Sequence, residues 1–193
     1  MTTAINNSEP KLLPGDLAIW FFIFMELLVF GIFFIVYAVM RIDNIELFNQ
    51  YQLTLNRELG AANTILLITS SYFVVRAVHA IRDNNVKNCI NWLGAALLGG
   101  TGFLILKSIE YSDKFSEGIS LSTNTFYMFY LSLTIFHFLH VILGMLILIA
   151  VIIKAKHGAY SADNHIGVET GASYWHMVDL VWIILFPLVY IIR

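Results

Sequence analysis

The 193-residue chain is 59% hydrophobic and 12% charged, well under the roughly 25% charged residues of an ordinary soluble domain, and reads as an integral membrane protein. A net charge of −2 without a basic run excludes a nucleic-acid surface and a polybasic switch for anionic lipid. The single cysteine, Cys89, excludes an internal disulfide and a Cys-rich metal or iron–sulfur site, leaving small filler at a helix start as its expected role.

Residues 1–11 are polar with almost no positive charge, and an apolar run over 17–40 follows. That run has no small-residue cleavage site and exceeds the apolar core of about 7–15 residues in a secretory signal, so it is expected to be a permanent first span. Crossing a bilayer takes about 20 apolar residues. Glu26 stands alone in the middle of the run, which places its carboxyl close to the membrane midplane. An ionisable group there costs roughly 2.5–3.5 kcal/mol on insertion scales and is a functional candidate by default. The alternative is a protonated Glu26 hydrogen-bonded to a neighbouring helix as structural glue.

Four further apolar blocks cover 61–80, 89–106, 125–153 and 172–192. The second span carries Asn63, Thr64, Thr69, Ser70 and Ser71. Asn63 and Ser70 fall on one face, a polar seam suited to interhelical hydrogen bonds. In the third, Ala95 with Gly99 and Ala96 with Gly100 are small-xxx-small pairs that let backbones approach closely. The fourth places Tyr130, Thr134, His137, His140 and Gly144 on one helical stripe. In the fifth, His176 and Asp179 are i, i+3 neighbours flanked by Trp175 and Trp182, and an Asp beside a His can fix the imidazole's tautomer. Pro187 removes a backbone donor and is expected to kink the helix.

These blocks are continuously apolar rather than alternating. Helices are therefore expected, since lipid demands that every backbone polar group be satisfied internally. The fold class is all-α, one domain over 1–193: an antiparallel bundle of five transmembrane helices. The charged connections are 41–58, 82–87, 107–117 and 154–169. One side of the membrane collects six basic residues (Lys11, Arg76, Arg82, Lys87, Lys154, Lys156) and the other five (Arg41, Arg57, Lys107, Lys114, Arg193). The positive-inside rule then sets the N-terminus in the cytoplasm.

Three intramembrane histidines admit a b-type haem between facing helices, or a metal centre. No Glu-x-x-His pattern occurs, and histidines hydrogen-bonded between helices are the simpler reading. A proton relay through Glu26, His137, His140, His176 and Asp179 is another class. It needs water at Glu26, and the five unequal spans show no inverted repeat of a transporter.

The segment His165-Ile-Gly-Val-Glu169, followed by Tyr174-Trp-His-Met-Val-Asp-Leu-Val-Trp182, resembles the C-terminal motif of subunit III of haem–copper oxidases. Phe136-His137-Phe-Leu-His140-Val-Ile-Leu-Gly144 is similar to the family's F-H-G-x-H-V-x-x-G, with Phe138 replacing its glycine. Asn63-Thr64 to Ser70-Ser71 resembles N-T-x-x-L-x-x-S-S, and Glu110-Tyr111 the E-Y closing the next span. Glu26 falls where the family carries its intramembrane carboxylate, with Met25 in place of the usual small residue. The motifs run in order along nearly the whole chain.

Mitochondrial-type members have seven spans, and this chain lacks the first two. The five-span form and the opening Leu13-Pro-Gly-Asp-Leu-Ala-Ile-Trp20 look closest to the membrane protein associated with nitric oxide reductase in denitrifiers (the NorE type). Subunit III of a bacterial quinol or cytochrome c oxidase is the alternative. The resemblance implies a non-catalytic inner-membrane subunit with no haem or metal of its own. Haem, with copper or non-haem iron, would lie in partner subunits. It implies a haem-bearing catalytic subunit I as partner, bound phospholipid, and no nucleic acid. Glu26 would then neighbour the subunit I interface and its proton-entry region. Asn63, Ser70, Glu110, His137, His140, Glu169, His176 and Asp179 would form the polar network of the bundle and its lipid cleft.

Overall fold

The computed structural model describes residues 14–192. Residues 1–13 and Arg193 lie outside the described part, so the charges of Lys11 and Arg193 have no structural account. Every regular element among the described residues is helical. These are α1 (Leu17–Asp43), α2 (Ile45–Gln52), α3 (Arg57–Arg82), α4 (Val86–Ser116), α5 (Thr125–Lys156) and α6 (Ile166–Phe186), with a π-helical turn over Pro187–Ile191.

The chain's own punctuation sets the helix ends. Asn56, Asn85 and Asn124 each accept a backbone N–H three residues on, from Leu59, Asn88 and Tyr127 at 2.9–3.1 Å, satisfying donors that a helix start leaves orphaned. At the other ends, Asn84, Gly118 and Gly158 take φ of 56°, 77° and 75°. Each is followed by an N–H that reaches back five residues, to Ala80, Lys114 or Lys154. This is the paired C-cap pattern that a left-handed residue makes possible.

Among the described residues five helices are long and apolar enough to cross a membrane. Their bounds correct the sequence expectation in three places. The third span does not stop at residue 106: α4 runs on to Ser116, so Lys107 and Glu110 are helical rather than loop residues. Their charges compensate one another inside the bundle, which a hydropathy reading cannot see. The connection 41–58 contains α2, whose Phe48 and Gln52 are buried. Pro187 widens the helix end into a π turn closed by Ile192 N–H to the Pro187 carbonyl at 2.9 Å. That turn absorbs the missing donor and the clash of the ring.

Helix α6 is the most enclosed span, with 56% of its apolar window buried, and α1 the least, with 11%. Helices α3, α5 and α1 pack around α6, and α4 bridges α3 and α5. Trp175 lies in a slot between two glycines. A Cβ on Gly100 would come within 2.8 Å of its ring, and one on Gly144 within 2.9 Å. Gly99 faces α3 in the same way, 2.8 Å from Ser70 Cβ. The small-residue stripe of the third span is thus a packing surface, as its spacing indicated.

Candidate functional site

Glu26, on the helix with least cover, is met by a histidine from α5. His140 Nε2 lies 2.9 Å from Glu26 Oε2, and His140 Nδ1 lies 2.7 Å from the Phe136 carbonyl oxygen. A carbonyl only accepts, so Nδ1 carries a proton in this geometry. The contact at Nε2 then holds one proton more. Either imidazolium donates to carboxylate, or the protonated carboxyl donates to neutral imidazole. Both forms are neutral as a pair, which lowers the cost of placing them in lipid. Phe30 and Phe136 set their rings edgewise to the imidazole, 5.2 and 4.5 Å between centroids. The side chains keep only 10% and 19% exposure, so the pair is largely covered where α1 meets α5.

A second cluster lies wholly inside. Lys107, with no exposed surface, donates to Glu110 Oε2 at 3.0 Å, to the Tyr130 hydroxyl at 3.4 Å and to the Tyr190 hydroxyl. Those hydroxyls in turn donate to Glu110 Oε1 at 2.7 and 2.6 Å. The ammonium nitrogen is also 5.0–5.6 Å from the ring centroids of Tyr111, Tyr130, Trp182 and Tyr190, within cation–π range. The sequence reading missed Lys107 by assigning it to a loop. The i, i+3 spacing of Lys107 and Glu110 was the available signal.

The remaining expected residues separate into unconnected contacts. Ser70 donates to the Ala96 carbonyl at 2.7 Å, holding α3 to α4. Asn63 is fully buried, and its amide has no hydrogen-bond partner among the described residues. The seam drawn through Asn63 and Ser70 is therefore not a continuous one. His137 is buried with its ring stacked on Trp182 at 5.2 Å and edgewise to Phe103, and neither nitrogen is paired among the described residues. His176 turns its Nδ1 to the Ser71 hydroxyl, 2.6 Å away on α3. Among the described residues no direct hydrogen bond joins His176 to Asp179; the Asp179 carboxyl is buried with Oδ1 unpaired, and the Ser71 hydroxyl that meets His176 also lies beside it. Glu169 gathers the bundle's end. It accepts from Arg82 at 2.7 Å and from the Gly15 N–H at 3.1 Å, and lies 3.2 Å from His165 Nε2.

Among the described residues no group of three or more His, Cys, Asp or Glu is placed to hold a metal ion. A haem between facing histidines loses one candidate in His140, whose two nitrogens are both engaged.

The arrangement is that of a multi-pass membrane bundle in which polar side chains tie helix to helix, with the Glu26–His140 pair joining α1 to α5. A family model described as "Cytochrome c oxidase subunit III" matches residues 15–193, and the chain belongs to this family. Cytochrome c oxidase subunit 3 of Synechocystis sp. is 39% identical over 135 residues, covering 69% of this chain and 57% of the relative. A probable cytochrome c oxidase subunit 3 of Rickettsia bellii is 33% identical over 96% of this chain and 72% of the relative. The Spodoptera frugiperda subunit is 38% identical over 74% of this chain and 91% of its own length. The chain thus spans little more than half of the Synechocystis relative.

Proposed function

We propose that this chain is the non-catalytic subunit III of a bacterial terminal haem–copper oxidase. It would lie in the inner membrane with its N-terminus in the cytoplasm. Its relatives bear the names of cytochrome c oxidase subunits, which favours the oxidase over a nitric oxide reductase as host complex. The observation that carries the reading is the Glu26–His140 pair, whose carboxylate comes from the least covered helix, α1. The outer side of α1 exposes Phe21, Phe24, Met25, Leu28, Ile32 and Ile35. In lipid that side suits a neighbouring apolar subunit, and a haem-bearing subunit I is the partner of matching kind. The pair would then lie beside the interface and hold or hand on one proton near the catalytic subunit's entry path. Haem and copper, or non-haem iron, would belong to partner subunits, and phospholipid would fill the clefts between this bundle and its neighbours. The second cluster and the Glu169 contacts keep the bundle in register.

Purifying the tagged chain in mild detergent and identifying its haem-bearing companions tests this reading. Co-purification of an oxygen-reducing haem–copper subunit is the expected result. Recovery with a nitric oxide-reducing subunit, or stoichiometric haem in the isolated chain, would overturn it.

A further inference from the structure

A crevice of about 480 Å³ opens between α3 and α4 beside their hairpin, away from Glu26 and from the Lys107 cluster. Its polar lining includes Arg76, His79, Asp83 and Asn88, and its aromatic lining Tyr72 and Trp92. Arg76 lies six residues before the end of α3, about 9 Å along the axis at roughly 1.5 Å per residue. An arginine at that depth ordinarily snorkels toward water. The Arg76 guanidinium donates to the hydroxyl of Tyr72, a turn deeper, at 3.3 Å and lies 5.2 Å from the Trp92 ring centroid. Trp92 is itself stacked on Phe73 at 5.6 Å. The two aromatic side chains mark the interfacial level at which Trp and Tyr settle in membranes.

Arg82 is neutralised by Glu169 at 2.7 Å, but among the described residues no carboxylate forms an ion pair with Arg76. Asp83, at the C-cap where α3 ends, lines the outer part of the same crevice and likewise makes no ion pair among the described residues. The crevice therefore presents a cation at depth and an anion at its mouth. That order complements a headgroup whose phosphate lies inward and whose primary ammonium lies outward. A guanidinium recognises phosphate by charge-assisted hydrogen bonds, and a carboxylate accepts from an ammonium in the same way.

We propose that this crevice is a headgroup site for an aminophospholipid, with the phosphate diester on Arg76 over Trp92 and the ammonium at Asp83. A phosphatidylglycerol headgroup would satisfy Arg76 but bring nothing to Asp83. A choline headgroup carries its charge but has no N–H to donate. The site needs only a bilayer around the chain. It goes beyond the lipid filling of clefts between subunits and does not depend on which complex the chain joins.

The test is native mass spectrometry of the full chain, purified in mild detergent and equilibrated with an equimolar mixture of phosphatidylethanolamine, phosphatidylglycerol and phosphatidylcholine of the same acyl composition. Wild type is expected to retain phosphatidylethanolamine preferentially. Arg76→Gln should lower that retention about tenfold, the effect of losing one charge-assisted contact. Asp83→Asn should abolish the preference over phosphatidylglycerol while leaving total phospholipid retention unchanged. Arg76 and Asp83 are both exposed, so neither substitution disturbs the packed interior. Equal phosphatidylethanolamine retention by Arg76→Gln and wild type would overturn the site. An unchanged headgroup preference in Asp83→Asn would overturn the assignment of the ammonium. Displacement of the lipid by millimolar inorganic phosphate would overturn a lipid source in favour of a free anion. Co-purification of haem subunits is a separate readout, so failure here is distinguishable from failure of the oxidase reading.

Discussion

Glu26 and His140, 114 positions apart in sequence, meet at 2.9 Å across α1 and α5, with the imidazole's other nitrogen held on its own helix by the Phe136 carbonyl. The second contact restricts the pair to one mobile proton. A carboxylate alone at this depth would be a cost, and the same carboxylate beside a histidine is a neutral two-state unit.

Replacing Glu26 with Gln should leave folding within about 1 kcal/mol, because the amide can still donate to Nε2. The proton-sharing state is lost, so steady-state turnover of the host complex, or its persistence over many turnovers, should fall. Rates and inactivation lifetimes of the variant complex measure this. Unaltered values of both would leave the residue purely structural.

His140→Ala should be the more damaging change. It strands Glu26 without a partner, at a cost of about 1–3 kcal/mol, and reduces the yield of folded subunit. Adding Glu26→Leu to His140→Ala should recover most of that yield, because the unpaired carboxyl is removed with its partner. A double-mutant cycle on thermal stability in detergent would show the coupling.

Lys107→Met should destabilise the bundle by about 3–5 kcal/mol, since it leaves Glu110 charged or unpaired among buried rings. Lys107→Met with Glu110→Met should lie much closer to wild type. Tyr190→Phe, which removes one donor to Glu110 but keeps the ring, should cost only about 1–3 kcal/mol. Thermal unfolding of the purified variants ranks the three.

His176→Ala opens a cavity and leaves the Ser71 hydroxyl without its 2.6 Å partner, so subunit yield should drop. Ser71→Ala removes the contact without the cavity and should cost less, about 0.5–1.5 kcal/mol. If Asp179 were the residue orienting His176, Asp179→Asn would mimic His176→Ala. The geometry predicts that it does not, and expression level with thermal stability decides between them.

Hydropathy and motif order carried far in this chain. Glu26 was conspicuous because one carboxylate interrupts an apolar run, and His140 because it shares a helical stripe with His137. Neither observation pairs them, since they lie on separate helices and nothing local encodes which of three histidines a distant carboxylate meets. Lys107 shows the opposite failure. Read along the chain, a lysine and a glutamate after an apolar block look like a loop. Inside the bundle they are one neutral unit wrapped by Tyr130, Tyr190 and Trp182. Asn63 and Ser70 share a face as their spacing implies, yet among the described residues only Ser70 of the two has a hydrogen-bond partner across the helix contact.

Five spans, an all-helical class and family membership follow from composition, apolar block length and ordered motifs. These are properties of consecutive residues and of the free energy of placing them in lipid. Which polar groups meet was decided by the packing of α6 against its neighbours and by the slot that Gly100 and Gly144 leave for Trp175. That packing turned His176 toward Ser71 and closed the aromatic box around Lys107, while the contact of α1 with α5 brought Glu26 to His140. Such pairings depend on helix rotation and depth, quantities that a one-dimensional pattern carries only in part.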